Sequence, residues 1–383
     1  NKVVIGGHMA SKKITNMEVK RKNRNRIYRY VRKSGIVSNP DIAYELKLSL
    51  PTVTQNTKEL IELGLIKENG ELESTGGRKA KALAIEADFR LAAGVDITEN
   101  HIGLILTNLA GEILRYERIY YPFCRSEEYF SEVSQKLEKF LKKEKIAAER
   151  ILGVGISIPG ITDMEKRKIT NSHVLNIKAL SFQEMEKFFA YPCIFLNDAN
   201  AGANAEAFQG EKEKKFFYLS LSNTVGGAYF SNGGIVYGSE FRCGEVGHMT
   251  IVPDGLECYC GKRGCFDSYC TAKKLAEFAG GKLETFFEGL KQKRPEYIEE
   301  WERYTKYLSI AVNNIHMLLD CDIVLGGYVG SYLEDYMADI RNKVAERNTF
   351  SEDGQFVKNC NYKIGAAALG AALYVIELFV EEI

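Results

Sequence analysis

The sequence predicts an α/β fold in which an amino-terminal winged helix-turn-helix precedes a larger, two-lobed domain of the actin-like, hexokinase type. Two observations lead to this fold class. Before residue 84, three short helical segments and an Asn-Gly turn signal follow one another. After it, three strands followed by a helix and another strand occur twice. That repeat is typical of two α/β lobes with a ligand cleft between them.

Length and composition limit the class of protein. A chain of 383 residues is too long for one ordinary domain, and its 45% hydrophobic and 27% charged residues are typical of a soluble globular protein. No apolar run approaches the roughly 20 residues of a membrane span, and no secretory signal is visible. Of nine cysteines, five fall between 243 and 270, which fits a reducing cytoplasm and a metal site better than a disulfide framework.

Charge separates the front of the chain from the rest. Between Ser11 and Leu83 there are 16 basic and 8 acidic residues, whereas the whole chain has 51 of each. A basic front on an acidic body predicts a polyanionic partner, double-stranded DNA, for the front part only.

The predicted divisions are a cloning remnant at 1–10, the winged helix-turn-helix at 11–73, a basic linker at 74–83, lobe 1 at 84–200 with the carboxy-terminal helix 365–383 packing back on it, and lobe 2 at 201–364 with a zinc site.

The front module divides into three helices and a hairpin. Residues 20–33 predict the first helix, the second begins behind Asn39-Pro40 with Asn39 as its cap, and residues 51–63 predict the recognition helix for the major groove. Asn69-Gly70 predicts a hairpin turn. The candidate DNA-binding residues are short polar groups on the outer face of the third helix and two cations of the linker: Thr52, Gln55, Asn56, Lys58, Arg78 and Lys79. The alternative is a small protein-interaction domain with a solvated basic face, and the charge favours DNA.

Four residues of the body have the spacing of a metal site. They are His248, Cys258, Cys260 and Cys265, with Gly261 and Gly264 between or beside the cysteines. A Cys₃His set is the ligand set of tetrahedral structural zinc and leaves no position open for water. The sequence therefore predicts one structural Zn²⁺ per chain. The alternative, that the cysteines are merely small buried residues, fits their close spacing poorly.

This stretch also carries a family resemblance. The run from Glu245 through Gly247-His248 to Cys-x-Cys-Gly-x-x-Gly-Cys resembles the signature of the ROK family, named for repressors, open reading frames and kinases. The resemblance covers residues 84–383, and the front module is similar to the repressor branch, which includes the xylose repressors. It implies a sugar site in the interlobe cleft. The positions that match are Pro159, Gly160, Asn197, Asp198, Glu245, His248 and Asp267.

Two of these matches are weak when taken alone. Asn197-Asp198 follows a predicted strand and would by itself be interpreted as the cap of the next helix. Asp267 stands where the family usually has Glu, so its reach is shorter. Only the joint order of these motifs along the chain predicts a polyol site.

The resemblance fails at the phosphate-binding loops. ROK kinases have Asp-x-Gly-Gly-Thr after the first strand, where glycines let backbone N–H groups surround the ATP phosphates. Here residues Asp96–Asn100 contain no glycine, and the second loop, Ser222–Gly227, is only partly glycine-rich. We therefore expect no enzyme activity.

The favoured function is that of a sugar-responsive transcriptional regulator, acting as a repressor of carbohydrate-utilisation genes. It would bind an inverted-repeat operator as a homodimer or a dimer of dimers. One alternative is an ATP-dependent sugar kinase with an appended DNA-binding module, in which Asp198 is the general base. A second alternative is a scaffold that binds another protein rather than a sugar.

Overall fold

The structure is a computed structural model that describes residues 16–72, 80–144, 146–208, 210, 214–363 and 365–383. A small helical module lies at the amino-terminal end, and two α/β lobes follow it, as the sequence predicts. Across the described residues, no helix combines the length and the apolar character that crossing a membrane requires. Residues 1–10, Arg78 and Lys79 lie outside the described residues.

The module has three helices and a two-stranded sheet: α1 (Asn16–Ser34), α2 (Asn39–Leu46), α3 (Leu50–Glu62), β1 (Ile66–Glu71) and β2 (Lys81–Ile85). Apolar residues three and four positions apart face inward, among them Ile27 and Val31 of α1. The cap of α2 is Ser38, not Asn39 as the sequence suggested. The Ser38 hydroxyl accepts from the N–H of Asp41, and the Asp41 carboxylate accepts from the N–H of Ser38, which is a reciprocal capping box.

The wing differs from the predicted hairpin. Asn69-Gly70 does not reverse the chain: Gly70 has φ +83° inside β1, where the register of the strand pair shifts between Glu68 and Glu71. The partner strand is β2, which the sequence analysis had assigned partly to the linker. Leu83 supplies the physical reason, because it is buried in the module and exchanges two backbone hydrogen bonds with Val37. Burial of β2 outweighs the local turn preference.

Lobe 1 is built on a five-stranded sheet. Its elements are β3 (Leu91–Ile97), β4 (His101–Asn108), β5 (Ile113–Tyr120), α4 (Glu127–Lys143), β6 (Ile151–Ile158), β7 (Ile161–Asp163), β8 (Lys168–Asn171), β9 (Leu180–Ser181), α5 (Phe182–Glu186) and β10 (Cys193–Asn197). The strand order is β10-β6-β3-β4-β5. Strands β3, β6 and β10 are parallel to one another, β4 pairs with β3 in antiparallel orientation, and β5 pairs with β4 in the same way. The strands β7, β8 and β9 form a small separate sheet beside it.

Lobe 2 repeats this topology. Its elements, after the connecting helix α6 (Asp198–Phe208), are β11 (Phe216–Leu221), β12 (Val225–Ser231), β13 (Gly234–Ile235), α7 (Asp267–Cys270), α8 (Ala272–Phe278), α9 (Leu283–Lys291), α10 (Pro295–Leu319), β14 (Asp322–Gly326), α11 (Gly327–Gly330), α12 (Met337–Ala345), β15 (Val357–Asn359) and α13 (Ala366–Glu382). The strand order β15-β14-β11-β12-β13 matches that of lobe 1 strand for strand. The predicted duplication is confirmed.

Helix α13 connects the parts of the molecule. It packs on α6 and across the lobe 1 sheet, where glycines admit it: a Cβ on Gly155 would lie 2.0 Å from the carbonyl oxygen of Ala371. Along its length, Leu369, Ile376 and Val380 share one apolar core with Ile27 of α1. The helix therefore lies against both the sheet that forms the cleft and the DNA-binding module.

Candidate functional site

The cleft opens at the carboxyl ends of the parallel strands, where ligands of open α/β sheets usually bind. Strand β3 ends near Asp96, β6 leads into Pro159-Gly160, and β10 ends at Asn197, directly before Asp198. In register, Asn197 lies beside Ile158 and Asp96 beside Ser157. The cleft lining also includes the loop Ser222–Thr224 of lobe 2 and the start of α13. Two predicted sugar-site positions, Gly160 and Asn197, lie 37 residues apart in the chain and therefore meet at one edge of the sheet.

Two carboxyl groups in the cleft, those of Asp96 and Asp198, have raised pKa values. Removal from water raises the pKa of Asp96 to about 7, and the nearby charge of Asp198 raises it too, while a hydrogen bond donated by the Ser157 hydroxyl (2.9 Å) and the charge of Arg118 act against the rise. Desolvation likewise raises the pKa of Asp198, although its own N–H and that of Ala199 partly offset this. Near pH 7 Asp96 is therefore partly protonated, and a protonated carboxyl group can both donate and accept hydrogen bonds.

Asn197 has a structural task that the sequence only suggested. Its side-chain oxygen accepts from the N–H groups of Ala199 (2.9 Å) and Asn200 (3.1 Å), so it caps α6. Its Nδ2 donates to the carbonyl of Gly160 at 3.0 Å, which ties the loop after β6 to this helix. Gly160 itself has φ +135°, and a Cβ there would lie 2.6 Å from the carbonyl oxygen of Asn171. Asn197 thus shapes the cleft wall and keeps one N–H for a ligand.

The residues predicted from lobe 2 divide into two groups. Glu245 as a whole residue is exposed beside the cleft, but its carboxyl group is partly removed from water. This desolvation, followed by the charge of Asp198, raises the pKa of Glu245. Asp267 is buried, and its Oδ2 accepts from the N–H of Val225 at 2.7 Å. Burial raises the pKa of Asp267 to about 6. The structure therefore places Asp267 behind the loop before β12, which it supports. Of the seven predicted sugar-binding positions, Pro159 and Asp198 line the cleft itself.

His248, Cys258, Cys260 and Cys265 meet as one cluster. One ligand atom from each lies within 4.8 Å of all the others. The Sγ atoms of Cys260 and Cys265 are 3.8 Å apart, and Cys258 Sγ is 3.9 Å from His248 Nδ1. A tetrahedron with metal–sulfur bonds of about 2.3 Å has edges of about 3.8 Å, so these four residues fit a tetrahedral metal ion.

The glycines of this loop have the expected conformation. Gly261 and Gly264 have φ of +79° and +77°, and a Cβ on Gly264 would lie 1.8 Å from the carbonyl oxygen of Val252. They fold the loop so that Cys258 and Cys265 point to one centre.

The imidazole of His248 connects the metal cluster to the other lobe. Because Nδ1 faces the cysteines, Nε2 is left for other partners, and the hydroxyl of Tyr259 lies 3.5 Å from it. His173, in the loop after β8 of lobe 1, stacks edge-on or tilted against both rings, with centroids 6.2 Å from His248 and 5.5 Å from Tyr259. Sequence reasoning missed His173 and Tyr259, because neither belongs to a motif or a recognisable spacing.

The segment from Asp96 to Asn100, where the family resemblance predicts a phosphate loop in kinases, is a tight turn of the β3–β4 hairpin. The Thr98 N–H and hydroxyl both donate to the carbonyl of His101, at 2.9 Å each. Both hydrogens are thereby used within the turn, and the exposed Glu99 adds a negative charge at the cleft.

The recognition helix agrees with the prediction except at one residue. Gln55 and Lys58 are exposed on α3 and Thr52 is half-buried, but Asn56 is only 2% exposed. Asn56 belongs to the inward stripe with Val53 and Leu60, and its Nδ2 donates to the carbonyl of Thr52 at 2.7 Å. The expectation that Asn56 faces DNA is wrong, because helical spacing from Val53 turns it inward.

Known proteins resemble the chain in both parts. The profile of the ROK family matches residues 92–377, and that of a winged helix-turn-helix DNA-binding domain matches residues 20–67. The xylose repressor of Bacillus spizizenii is 26% identical over 95% of this chain and 97% of that protein. The DNA-binding transcriptional dual regulator NagC of Escherichia coli is 27% identical over 65% of this chain and 62% of that protein.

Solved structures show the same architecture. A ROK family transcriptional regulator described as a homologue of the E. coli MLC protein superposes with a TM-score of 0.74 at 22% identity, covering 95% of this chain and all of that one. A ROK family glucokinase from Streptomyces griseus, in complex with glucose and AMPPNP, has a TM-score of 0.61 at 22% identity and covers 74% of this chain and 98% of that one. Together with the duplicated lobes and the Cys/His cluster, the match over residues 92–377 shows that the chain belongs to the ROK family.

Proposed function

We propose that the chain is a sugar-responsive DNA-binding transcriptional repressor of carbohydrate-utilisation genes. One observation carries the proposal: a winged helix-turn-helix shares an apolar core with α13, the helix whose first residues line the cleft. The names of the relatives, xylose repressor and NagC, support the same function. A sugar in the cleft alters operator affinity if it binds the lobe arrangements of the two states with different affinity.

The sugar is held at the ends of β6 and β10 and by the loop of lobe 2 opposite them. Asp198 is the main ligand, since its carboxyl group faces the cleft at the start of α6. Asn197, Pro159 and Gly160 shape the wall, and Glu245 and His248 approach from lobe 2. Asp267, instead of touching the sugar, positions the loop at Val225.

The metal is zinc, one ion per chain. Three thiolates and one imidazole are the ligands that zinc prefers in structural sites, and the distances between them fit a tetrahedron. The ion fixes the ring of His248, so that Nε2 points away from the cysteines towards Tyr259 and the other lobe. The metal chemistry is structural, with all four positions of the ion taken by protein ligands.

On DNA, the protein acts as a homodimer on an inverted repeat. Thr52, Gln55 and Lys58 of α3 are placed for the major groove, and Lys58 has a side chain 78% exposed. A two-fold dimer presents two such helices to two half-sites. Arg78 and Lys79 remain predicted minor-groove or phosphate contacts.

A sugar kinase with an appended DNA-binding module is the competing function. The position of Asp198 would suit a general base, and several structural neighbours are kinases. Against it stand the Thr98 turn, the charge of Glu99 and the absence of glycine from Asp96 to Asn100. Sugar-dependent ADP production by the purified protein would establish it. A scaffold that binds another protein predicts instead that replacing Asp198 leaves regulation unchanged.

The test is thermal unfolding of the full chain against monosaccharides, short oligosaccharides and sugar phosphates, each with and without Mg-ATP. A ligand at 100 times its dissociation constant stabilises by about 2.7 kcal/mol, which is readily measured. We expect one sugar class to raise the midpoint, Mg-ATP to add nothing, and the same sugar to change binding to an inverted-repeat operator.

Asp198→Asn is the matched control, because it keeps the size of the side chain and removes its charge. We expect this variant to fold, to bind operator DNA and to lose the sugar response. A shift caused by Mg-ATP alone would overturn the repressor assignment in favour of the kinase. A sugar response that survives in Asp198→Asn would contradict the proposed site.

A further inference from the structure

Two side chains, one from each lobe, meet beside the cleft. Tyr328, at the start of α11 in lobe 2, lies in the cleft lining beside Asp96 and Ser222. The guanidinium of Arg118, from β5 in lobe 1, lies over its ring at 5.3 Å from the centroid. Each residue comes from a different lobe, so their contact bridges the cleft.

Tyr328 is anchored where it is by its own lobe. Its N–H donates to the Ser222 hydroxyl at 3.3 Å, and its ring packs against the apolar core of lobe 2. The preceding Gly326-Gly327 pair is required by this packing. A Cβ on Gly326 would lie 2.3 Å from the Tyr218 hydroxyl, and one on Gly327 would lie 2.6 Å from the N of Leu221. The glycine pair therefore allows Tyr328 to lie close to β11.

Arg118 is held from the other side. Its strand, β5, pairs with β4 so that Arg118 lies opposite Gly103, and a Cβ on Gly103 would meet Asp96 at 3.5 Å. Burial raises the pKa of Tyr328 to about 12, and the positive charge of Arg118 acts against this rise, as it does at Asp96. Arg118 of lobe 1 thus lies over the ring of Tyr328 of lobe 2, near enough to Asp96 for its charge to act on that carboxyl group.

We propose that Arg118 and Tyr328 form an interlobe latch that closes the loop side of the cleft, between Asp96–Glu99 and Ser222–Thr224, in place of a nucleotide. The lobes are held together there by side chains of the chain, and the cleft accepts a sugar on its other side without a second ligand. The effect of the latch on sugar binding rests on the proposed function, whereas the latch itself forms without a sugar. Arg118 and Tyr328 are positioning residues and touch no sugar.

The strength of a partly exposed cation–π contact sets the expected effect. Such a contact changes an equilibrium about two- to five-fold. Loss of the latch reduces the closed population of the ligand-free protein, and the apparent dissociation constant of a sugar rises by the same factor, because binding must then supply the closure.

The test measures the distance between lobes in the ligand-free full chain. Spin labels introduced through unnatural amino acids at Lys139 of α4 and Lys273 of α8, both exposed, report the separation by pulsed electron resonance. We expect Arg118→Ala and Tyr328→Ala to lengthen and broaden the distance distribution. Tyr328→Phe keeps the ring and should match the wild type.

Arg115→Ala is the matched control. Arg115 lies on the same strand and stacks over Phe140 at 5.2 Å, but this contact is within lobe 1. Its removal should leave the distance unchanged. Identical distributions for wild type, Arg118→Ala and Tyr328→Ala would overturn the latch, as would a shortening of the wild-type distance by Mg-ATP.

The sugar arm separates the two proposals. If Arg118→Ala opens the lobes and no sugar of the panel binds, the latch stands and the proposed function fails. If a sugar binds wild type and Arg118→Ala equally, the proposed function stands and the coupling of the latch to sugar binding fails.

Discussion

Arg32 of α1 donates through Nη2 to Glu377 Oε1 at 2.6 Å, and this bond joins the DNA-binding module to the last helix of the body. Arg29 donates to the same carboxylate at 3.0 Å, and the Arg32 guanidinium lies 4.0 Å from the centre of the Phe208 ring. Near this bond, three buried polar atoms have no hydrogen-bond partner among the described residues: Asn25 Oδ1, Tyr28 OH and Arg32 Nη1. Such atoms cost free energy, whereas Glu377 satisfies two arginines of α1 and adds to the apolar core that α1 and α13 share.

Glu377→Ala should loosen the module. It leaves two arginines without their shared carboxylate, and we expect the free energy of unfolding to fall by about 1–3 kcal/mol. Hydrogen exchange of the α1 amides should quicken. Glu382→Ala, at an exposed position of the same helix, is the control and should change neither quantity. Equal exchange in both variants would contradict the docking role of Glu377.

Asn197 and Asp198 should respond differently to substitution. Asn197→Ala removes the cap of α6 and the tie to Gly160, so we expect a loss of about 1–2 kcal/mol in stability. Asp198→Asn should keep stability and lose the sugar-induced shift. Chemical denaturation and ligand titration of both variants separate the two roles. A stability loss confined to Asp198→Asn would reverse the assignment.

Stability should fall as pH rises from about 4 to about 7, through Asp96. Its pKa rises from 3.8 when unfolded to about 7 in the fold, so between these values the folded state holds a proton that the unfolded state has lost. Above pH 7 both states are ionised and this slope ends. Asp96→Asn keeps an acceptor for Ser157 and cannot ionise. Denaturation of both proteins at several pH values should show that the free energy of unfolding of Asp96→Asn increases relative to that of the wild type as the pH rises from about 4 to about 7. A constant difference would exclude the raised pKa.

Metal removal should destabilise lobe 2. We expect about one zinc per chain by elemental analysis, since a closed site of four ligands binds one ion. A chelator, or Cys260→Ser, should lower the unfolding midpoint, whereas Cys124→Ser, an exposed cysteine outside the cluster, should not. Carefully prepared, folded protein without zinc would contradict the assignment.

On DNA, Lys58→Ala should weaken operator binding and reduce the salt dependence by about two units in the proposed homodimer, as expected for one lost phosphate contact in each half-site. Asn56→Ala tests the corrected interpretation. Because Asn56 is buried, we expect reduced stability of the module with an unchanged salt slope. A reduced salt slope in Asn56→Ala, at unchanged stability, would return this residue to the DNA surface.

The sequence predicted what depends on periodicity and on close spacing. The duplicated sheets follow from strand patterns, and the three cysteines lie within eight positions of each other, so little else had to be known to bring them together. Contacts between distant segments were not predictable. Leu83 pairs with Val37, and Asp267 bonds Val225 across 42 residues, and neither pairing leaves a local mark in the chain. Asn56 was misjudged because its polarity concealed a position on the inward stripe.

The place of β2 has a consequence for how the protein reads its operator. Residues 86–90 alone separate the wing from β3, and this short segment is itself fixed, since the Leu109 N–H donates to the carbonyl of Ala87 and the ring of Phe89 meets Gly64. The wing is thus attached to lobe 1 through a short segment that is itself held in place. In the proposed homodimer, we therefore expect a sugar-induced rotation of lobe 1 to move α3 with it and to change the spacing between the two recognition helices.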